Sequence, residues 1–138
     1  MRSGAAWLIA GGCLSLAAAA LHLAVIAGGA NWYRFVGAGE RMARSVERGM
    51  LHPTLITIGI AGVLTAWAYY AFAGAGLVPR PPLLRAGLAA ITAVYLVRGL
   101  VIVPMLLTGR ADSFWIWSSA IVLVYGVVHA IGTWRAWP

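Results

Sequence analysis

An arginine inside a membrane-length apolar run is the strongest chemical signal in this chain. Arg98 stands about 10 residues, roughly 15 Å of helix, before the end of its run. An arginine near the centre of a bilayer costs from about 2.5 kcal/mol upward, and snorkelling relieves it least at that depth. Such a residue is expected to face a bundle interior and to hold a partner or water there. Thr92, Tyr95 and Arg98 step by three, which puts them on one helix face as a polar stripe. Pro104 follows on the same run and frees the carbonyl of Leu100, so a kink is expected close to the arginine. Two chemistries fit. Arg98 binds an anion or headgroup or handles protons, or it clamps helices by bonding carbonyls and hydroxyls.

Acidic partners are scarce. The chain has only Glu40, Glu47 and Asp112, none inside a run. Asp112, or its neighbour Ser113, reads as the N-cap of the last helix. Glu40 could meet Arg98 only if the first loop folded inward. The histidines lie at unequal depths. His22 and His52 fall toward the first-loop side, His129 toward the opposite one. A bis-histidine haem needs two ligands facing each other across a bundle, and only the shallow His22/His52 pair offers that. A three-histidine zinc site fails on depth, and no carboxylate completes it. No cofactor and no metal are therefore expected. Ser118, Val122, Tyr125 and His129 form one face of the last run, and Ser15 with His22 one face of the first. Thr57, Ala61, Thr65 and Tyr69 do so in the second. Such stripes tie helices together or line a narrow polar cavity. No nucleophile–base arrangement, paired carboxylates or phosphate-binding loop appears, so no catalytic residue is assigned and an enzyme is the less favoured class. The candidate binding or proton-handling residues are Arg98, Tyr95, His22, His52, Tyr125, His129 and Glu40.

The elements that must position them are four apolar runs: about 5–30, 54–78, 86–108 and 113–134. Each exceeds the roughly 20 residues that cross a bilayer core. Their only ionisable Asp, Glu, Lys, Arg or His residues are His22 in the first, Arg98 in the third and His129 in the fourth. Gly28-Gly29 ends the first run, and His52-Pro53 precedes the second, where proline suits a first helical turn. Gly74 to Pro82 and Thr108 to Asp112 make tight turns around the third. Trp7, Trp134 and Trp137 fall at one interface, and Trp32, Tyr33, Trp115 and Trp117 at the other, as an aromatic belt should. Trp67 is the exception, inside the second run, and reads as a packing or lipid-facing residue. Between the first two runs, Met42, Ala43, Val46 and Met50 recur at helical spacing, while Glu40–Arg44 and Arg44–Glu47 can pair on one face. A short amphipathic interfacial helix over about 38–49 is expected, serving as an anchor or as a lid over a polar pocket.

Composition agrees. Hydrophobic residues make up 62% and charged residues 9%, far below the roughly 25% charged of a soluble domain. The net charge of +7 comes from arginines between and beyond the runs, which suits anionic lipid headgroups. No basic stripe with interleaved aromatics argues for nucleic acid. All ten basic residues are arginine, which with abundant Ala and Gly points to a GC-rich bacterial genome. Arg2, Arg80, Arg85 and Arg135 fall on one side. Arg34, Arg41, Arg44, Arg48 and Arg110 fall on the other, a small bias toward a cytoplasmic first loop. Arg2 and Ala17-Ala18-Ala19 have the parts of a signal peptide, but the run continues to Ala30, too long for one, so the first span is expected to stay. Gly11-Gly12-Cys13 lacks the leucine of a lipoprotein site, having Ala10 there. With Cys13 alone, no intramolecular disulfide forms.

Trp32-Tyr33-Arg34-Phe35 with Gly37-Ala38-Gly39-Glu40-Arg41-Met42, His52-Pro53-Thr54, and Tyr95-Leu96-Val97-Arg98-Gly99 resemble segments of small uncharacterised four-span membrane proteins of proteobacteria. The resemblance covers most of the chain. It implies a multi-pass protein of the inner membrane and lends no substrate, reaction or partner. The expectation is therefore all-α: one unit of four transmembrane helices in an antiparallel bundle. A buried polar site around Arg98 would bind or pass a small solute, an anionic headgroup or protons. The alternative is a non-catalytic partner or assembly subunit, or a homo-oligomer. Small-residue seams facing the membrane, Gly126–Ala130 or Gly87–Ile91, would favour it.

Overall fold

The computed structural model describes residues 3–137 and is all-α, with no strand among them. Arg2, counted above among the terminal charges, lies outside the described residues. Four helices are long and apolar enough to cross a membrane, as in a multi-pass membrane protein: Ala5–Gly28, His52–Ala75, Leu84–Leu107 and Ser113–Ala136. Their ends fall within three residues of the expected bounds. We label the helices α1 (Ala5–Gly28), α2 (Ala30–Phe35), α3 (Glu40–Glu47), α4 (His52–Ala75), α5 (Leu84–Leu100), α6 (Ile102–Leu107) and α7 (Ser113–Ala136). The chain forms two compact units. One comprises residues up to Ser15 together with those from Ala66 onward, the other Leu16–Thr65.

The first unit holds the start of α1, the end of α4, and α5 to α7. The start of α1 lies beside the end of α7, where Ser3 Oγ donates to the Arg135 carbonyl at 3.3 Å. Leu8, Ala71, Ala73, Leu84 and Leu88 form the core at this end. The proline-rich turn into α5 is tied down by two tyrosines of α4: Tyr69 donates to the Pro79 carbonyl at 2.9 Å and Tyr70 to that of Pro82 at 3.3 Å. Leu83, at φ 53°, takes the left-handed conformation that turns the chain into α5. α5 and α7 pack closely because glycine meets leucine twice. A Cβ on Gly126 would stand 2.6 Å from Leu96, and one on Gly99 2.5 Å from Leu123. Gly126 is buried, and the space a side chain on Gly87 would need is filled by Tyr70. Gly126 and Gly87, one residue of each seam, thus pack inside the unit.

The helical hydrogen bonding is interrupted where the kink was expected. Proline has no N–H for the Leu100 carbonyl, α5 ends there and α6 begins at Ile102, while Val101 between them keeps helical dihedrals, φ −55° and ψ −24°. The next bond, from Met105 N–H to the Val101 carbonyl, is long at 3.4 Å. The polar stripe expected on α4 is corrected. Thr57 and Ala61 are buried, but Thr65 and Tyr69 are exposed. Each step of four overshoots a helical turn by about 40°, so the stripe drifts off the packed face. That face runs instead through Ala61, Leu64, Ala68 and Ala71.

In the second unit the loop between α1 and α4 is two helices rather than one. α2 covers Ala30–Phe35, and α3 is shorter than the expected 38–49. Val25, Tyr33 and Ala43 form its core with Met42 and Val46 against them. The apolar face of α3 therefore rests on protein, although Met50 lies outside it, exposed. Tyr33 donates to Thr57 Oγ1 at 3.0 Å, while Thr57 donates to the Pro53 carbonyl at 2.7 Å.

Candidate functional site

The first unit gathers a polar and aromatic cluster with contributions from α1, α4, α5 and α7. Tyr95 of α5 is the hub. Its hydroxyl shares a 2.8 Å hydrogen bond with Ser15 Oγ of α1, fully buried. Its ring takes the edge of Trp67 of α4 at 5.1 Å and 85°, and of Tyr125 of α7 at 5.5 Å and 70°. The ring of His129 lies 5.0 Å away, tilted by 45°. The inward stripes of α5 and α7 thus meet as the spacing required, and Trp67 is a packing residue.

His129 is completely buried. Its Nδ1 lies 2.8 Å from the Tyr125 carbonyl, which can only accept, so Nδ1 donates. Gly11 makes room for that ring: a Cβ there would stand 2.8 Å from Cε1. Among the described residues, His129 Nε2, Thr92 Oγ1 and Thr133 Oγ1 are buried without a hydrogen-bond partner.

One turn beyond Tyr95 on α5, Arg98 is partly buried. Nη1 donates to Ser119 Oγ at 3.2 Å and Nη2 to Ser118 Oγ at 3.3 Å. Its Cζ lies 4.6 Å from the centre of the Trp115 ring, a cation–π contact. Ser118 Oγ in turn donates to the Trp115 carbonyl at 3.4 Å. Gly99 packs on Leu123, so the backbone here is level with Leu123. The guanidinium meets Ser119, four residues nearer the start of α7, a reach of about 6 Å along that helix.

Glu40 does not serve Arg98. In the second unit its two oxygens accept from Arg34 Nε at 2.9 Å and Nη2 at 3.0 Å, and Arg44 Nε adds a third bond at 3.3 Å. Glu47 takes Arg34 Nη2 at 2.8 Å, so the expected Arg44–Glu47 pair gives way to an α2–α3 staple. Hydrogen bonds from Arg34, chiefly, hold the Glu40 carboxyl below its usual range, and the same carboxylates push Arg34 further up. Asp112 is the N-cap that the sequence implied, its Oδ1 accepting from Trp115 N–H at 2.9 Å.

The remaining histidines stand apart from the cluster's chemistry. His22 Nδ1 donates to the Ala18 carbonyl, 2.7 Å away in its own helix. His52 is exposed at the first residue of α4. No group of three or more His, Cys, Asp or Glu side chains gathers among the described residues.

Sequence reasoning missed Ser119 and the second role of Trp115. The adjacent hydroxyls of Ser118-Ser119, in the first two turns of a span, were the available signal. A stripe drawn through Ser118 alone hides it, because neighbours on a helix point about 100° apart. The arginine fork is wide enough to hold both. No protein-family model, curated protein or solved structure matches this chain.

Proposed function

We propose that this chain is a small multi-pass protein of a bacterial inner membrane that holds an anionic group, a lipid headgroup or a small solute, at Arg98. The all-arginine basic complement and the resemblance to proteobacterial four-span proteins support the location. The observation that carries the function is an uncompensated cation. Arg98 is held by two neutral hydroxyls and an indole face, while the three carboxylates of the chain are engaged at Arg34, Arg44 and the N-cap of α7. Removing a charge from water costs several kcal/mol unless an opposite charge repays it, on the order of the penalty for a buried ion. An anion is favoured over proton passage because a guanidinium does not release its proton in a protein.

The test is native mass spectrometry of the wild-type protein and Arg98→Gln, released gently from their own membrane, with thermal unfolding alongside. The expected result is a stoichiometric anionic adduct on the wild type that Arg98→Gln loses while keeping its unfolding midpoint. A variant that retains the adduct would overturn the assignment. So would a wild type without one, together with a variant whose midpoint falls: Arg98 would then be a helix clamp.

A further inference from the structure

We infer that the anion at Arg98 is the headgroup of an anionic phospholipid whose acyl chain lies in a groove on the outer face of α5. The inference rests on the Arg98 reading and narrows it. The groove has a volume of about 440 Å³ and is lined by Ala93, Val94, Val97, Arg98 and Val101. These positions run at i, i+1, i+4, i+5 and i+8, one stripe along the helix. Ala93 supplies only a methyl group to this lining. Val94 and Val97 are about half exposed or more, at 49% and 64%.

The occupant follows from charge and depth. Apart from Arg98, every lining side chain is a hydrocarbon, which receives an acyl chain and gives a soluble solute nothing to bond. Arg98 lines the groove with its methylene stem, while its guanidinium bonds Ser119 and Ser118 of α7 beside it. The guanidinium has more N–H donors than the two serines accept, and a phosphate takes a guanidinium in a two-pronged, charge-assisted geometry. The guanidinium sits beside Trp115 and Ser118, which are about 3 and 8 Å below Ser113, the first residue of α7. A phosphate at the membrane interface reaches that level with little descent. The stripe from Val101 to Ala93 then leads about 12 Å deeper, the direction an acyl chain takes.

The experiment uses full-length protein in detergent, with native mass spectrometry as the readout. The probes are phosphatidylglycerol, phosphatidylcholine and glycerol 3-phosphate, which has the phosphate without the chains. Three proteins are compared: wild type, Arg98→Gln, and Ala93→Phe, which fills the groove from an exposed position and leaves the α5–α7 seam untouched. The expected result is retention of one phosphatidylglycerol on the wild type, preferred over phosphatidylcholine by about tenfold. Both variants lose it, and glycerol 3-phosphate does not displace it at equal concentration. Loss in Arg98→Gln alone overturns the groove and leaves the anion site standing. Displacement by glycerol 3-phosphate also overturns it, naming a soluble anion instead. No lipid preference and no glycerol 3-phosphate on the wild type overturns the anion site as well.

Discussion

Two arginines of this chain live under opposite rules. Arg34, between α2 and α3, is about one-third exposed, and Glu40 and Glu47, both about half exposed, grip it. Arg98, within a membrane-length helix, is partly buried and has only Ser118, Ser119 and the face of Trp115. The carboxylates lie where water already screens charge and where ion pairs add little. The unscreened cation is left with neutral partners. If fold stability alone governed the arrangement, the scarce carboxylates would be expected beside the charge that needs them most. The difference separates a staple, whose charges close on themselves, from a site whose charge is left open.

The largest effect should come from parting the helices that hold the open charge. Gly126→Leu drives a side chain into Leu96 across the α5–α7 seam, and overpacking of this kind costs about 1–3 kcal/mol. The thermal midpoint in detergent should fall sharply and the lipid adduct should disappear with it. The matched control is Gly62→Leu on α4, where a Cβ meets nothing within 4 Å. It should leave the midpoint unchanged. Equal losses in both would mean that the seam has no special part in holding the site.

Removing both hydroxyls under Arg98 should do less. Ser118→Ala with Ser119→Ala deletes two intramembrane hydrogen bonds, worth about 0.6 kcal/mol each and about 1 kcal/mol together. Thermal unfolding measures that loss. Phosphatidylglycerol retention should persist, because the freed N–H groups remain available to a phosphate. Lost retention at an unchanged midpoint would transfer the headgroup contact from the arginine to the serines, and would blur the contrast with Arg34.

Much of this was legible in the sequence, for definite reasons. The four spans were legible because length and apolarity are properties of single segments. The interruption of helical bonding at Leu100–Ile102 was legible because proline acts locally. The stripes of Tyr95, Tyr125 and His129 were legible because steps of three and four stay on one face for a turn or two. That same rule misplaced Thr65 and Tyr69, where its angular drift had accumulated. α2 was not legible, since six residues after a Gly-Gly pair carry no periodicity of their own. Its existence depends on Tyr33 docking with Val25 and Ala43. The height of the Arg98 charge was also hidden. It depends on which way a long side chain turns, which is decided by hydroxyls on a different helix.

The smallest effect belongs to the closed charge, and its pH dependence is what distinguishes it. The Glu40 carboxyl is held below its usual value by hydrogen bonds from Arg34. A depressed carboxyl contributes its stability fully above its unfolded value, about 4.3, and loses it as pH falls through the lower folded value. Amide hydrogen exchange in α3, corrected for intrinsic rates, should therefore be flat from about pH 7 to pH 5 and quicken below about pH 4. Glu40→Gln should show weaker protection at neutral pH and a smaller acid response, and added salt should lower protection in the wild type alone. Amides of α5 around Arg98 should not follow that acid limb, since no carboxylate bonds the guanidinium there. A shared acid response in α3 and α5 would show that the two arginines answer to the same carboxylates, and the division between staple and open site would collapse.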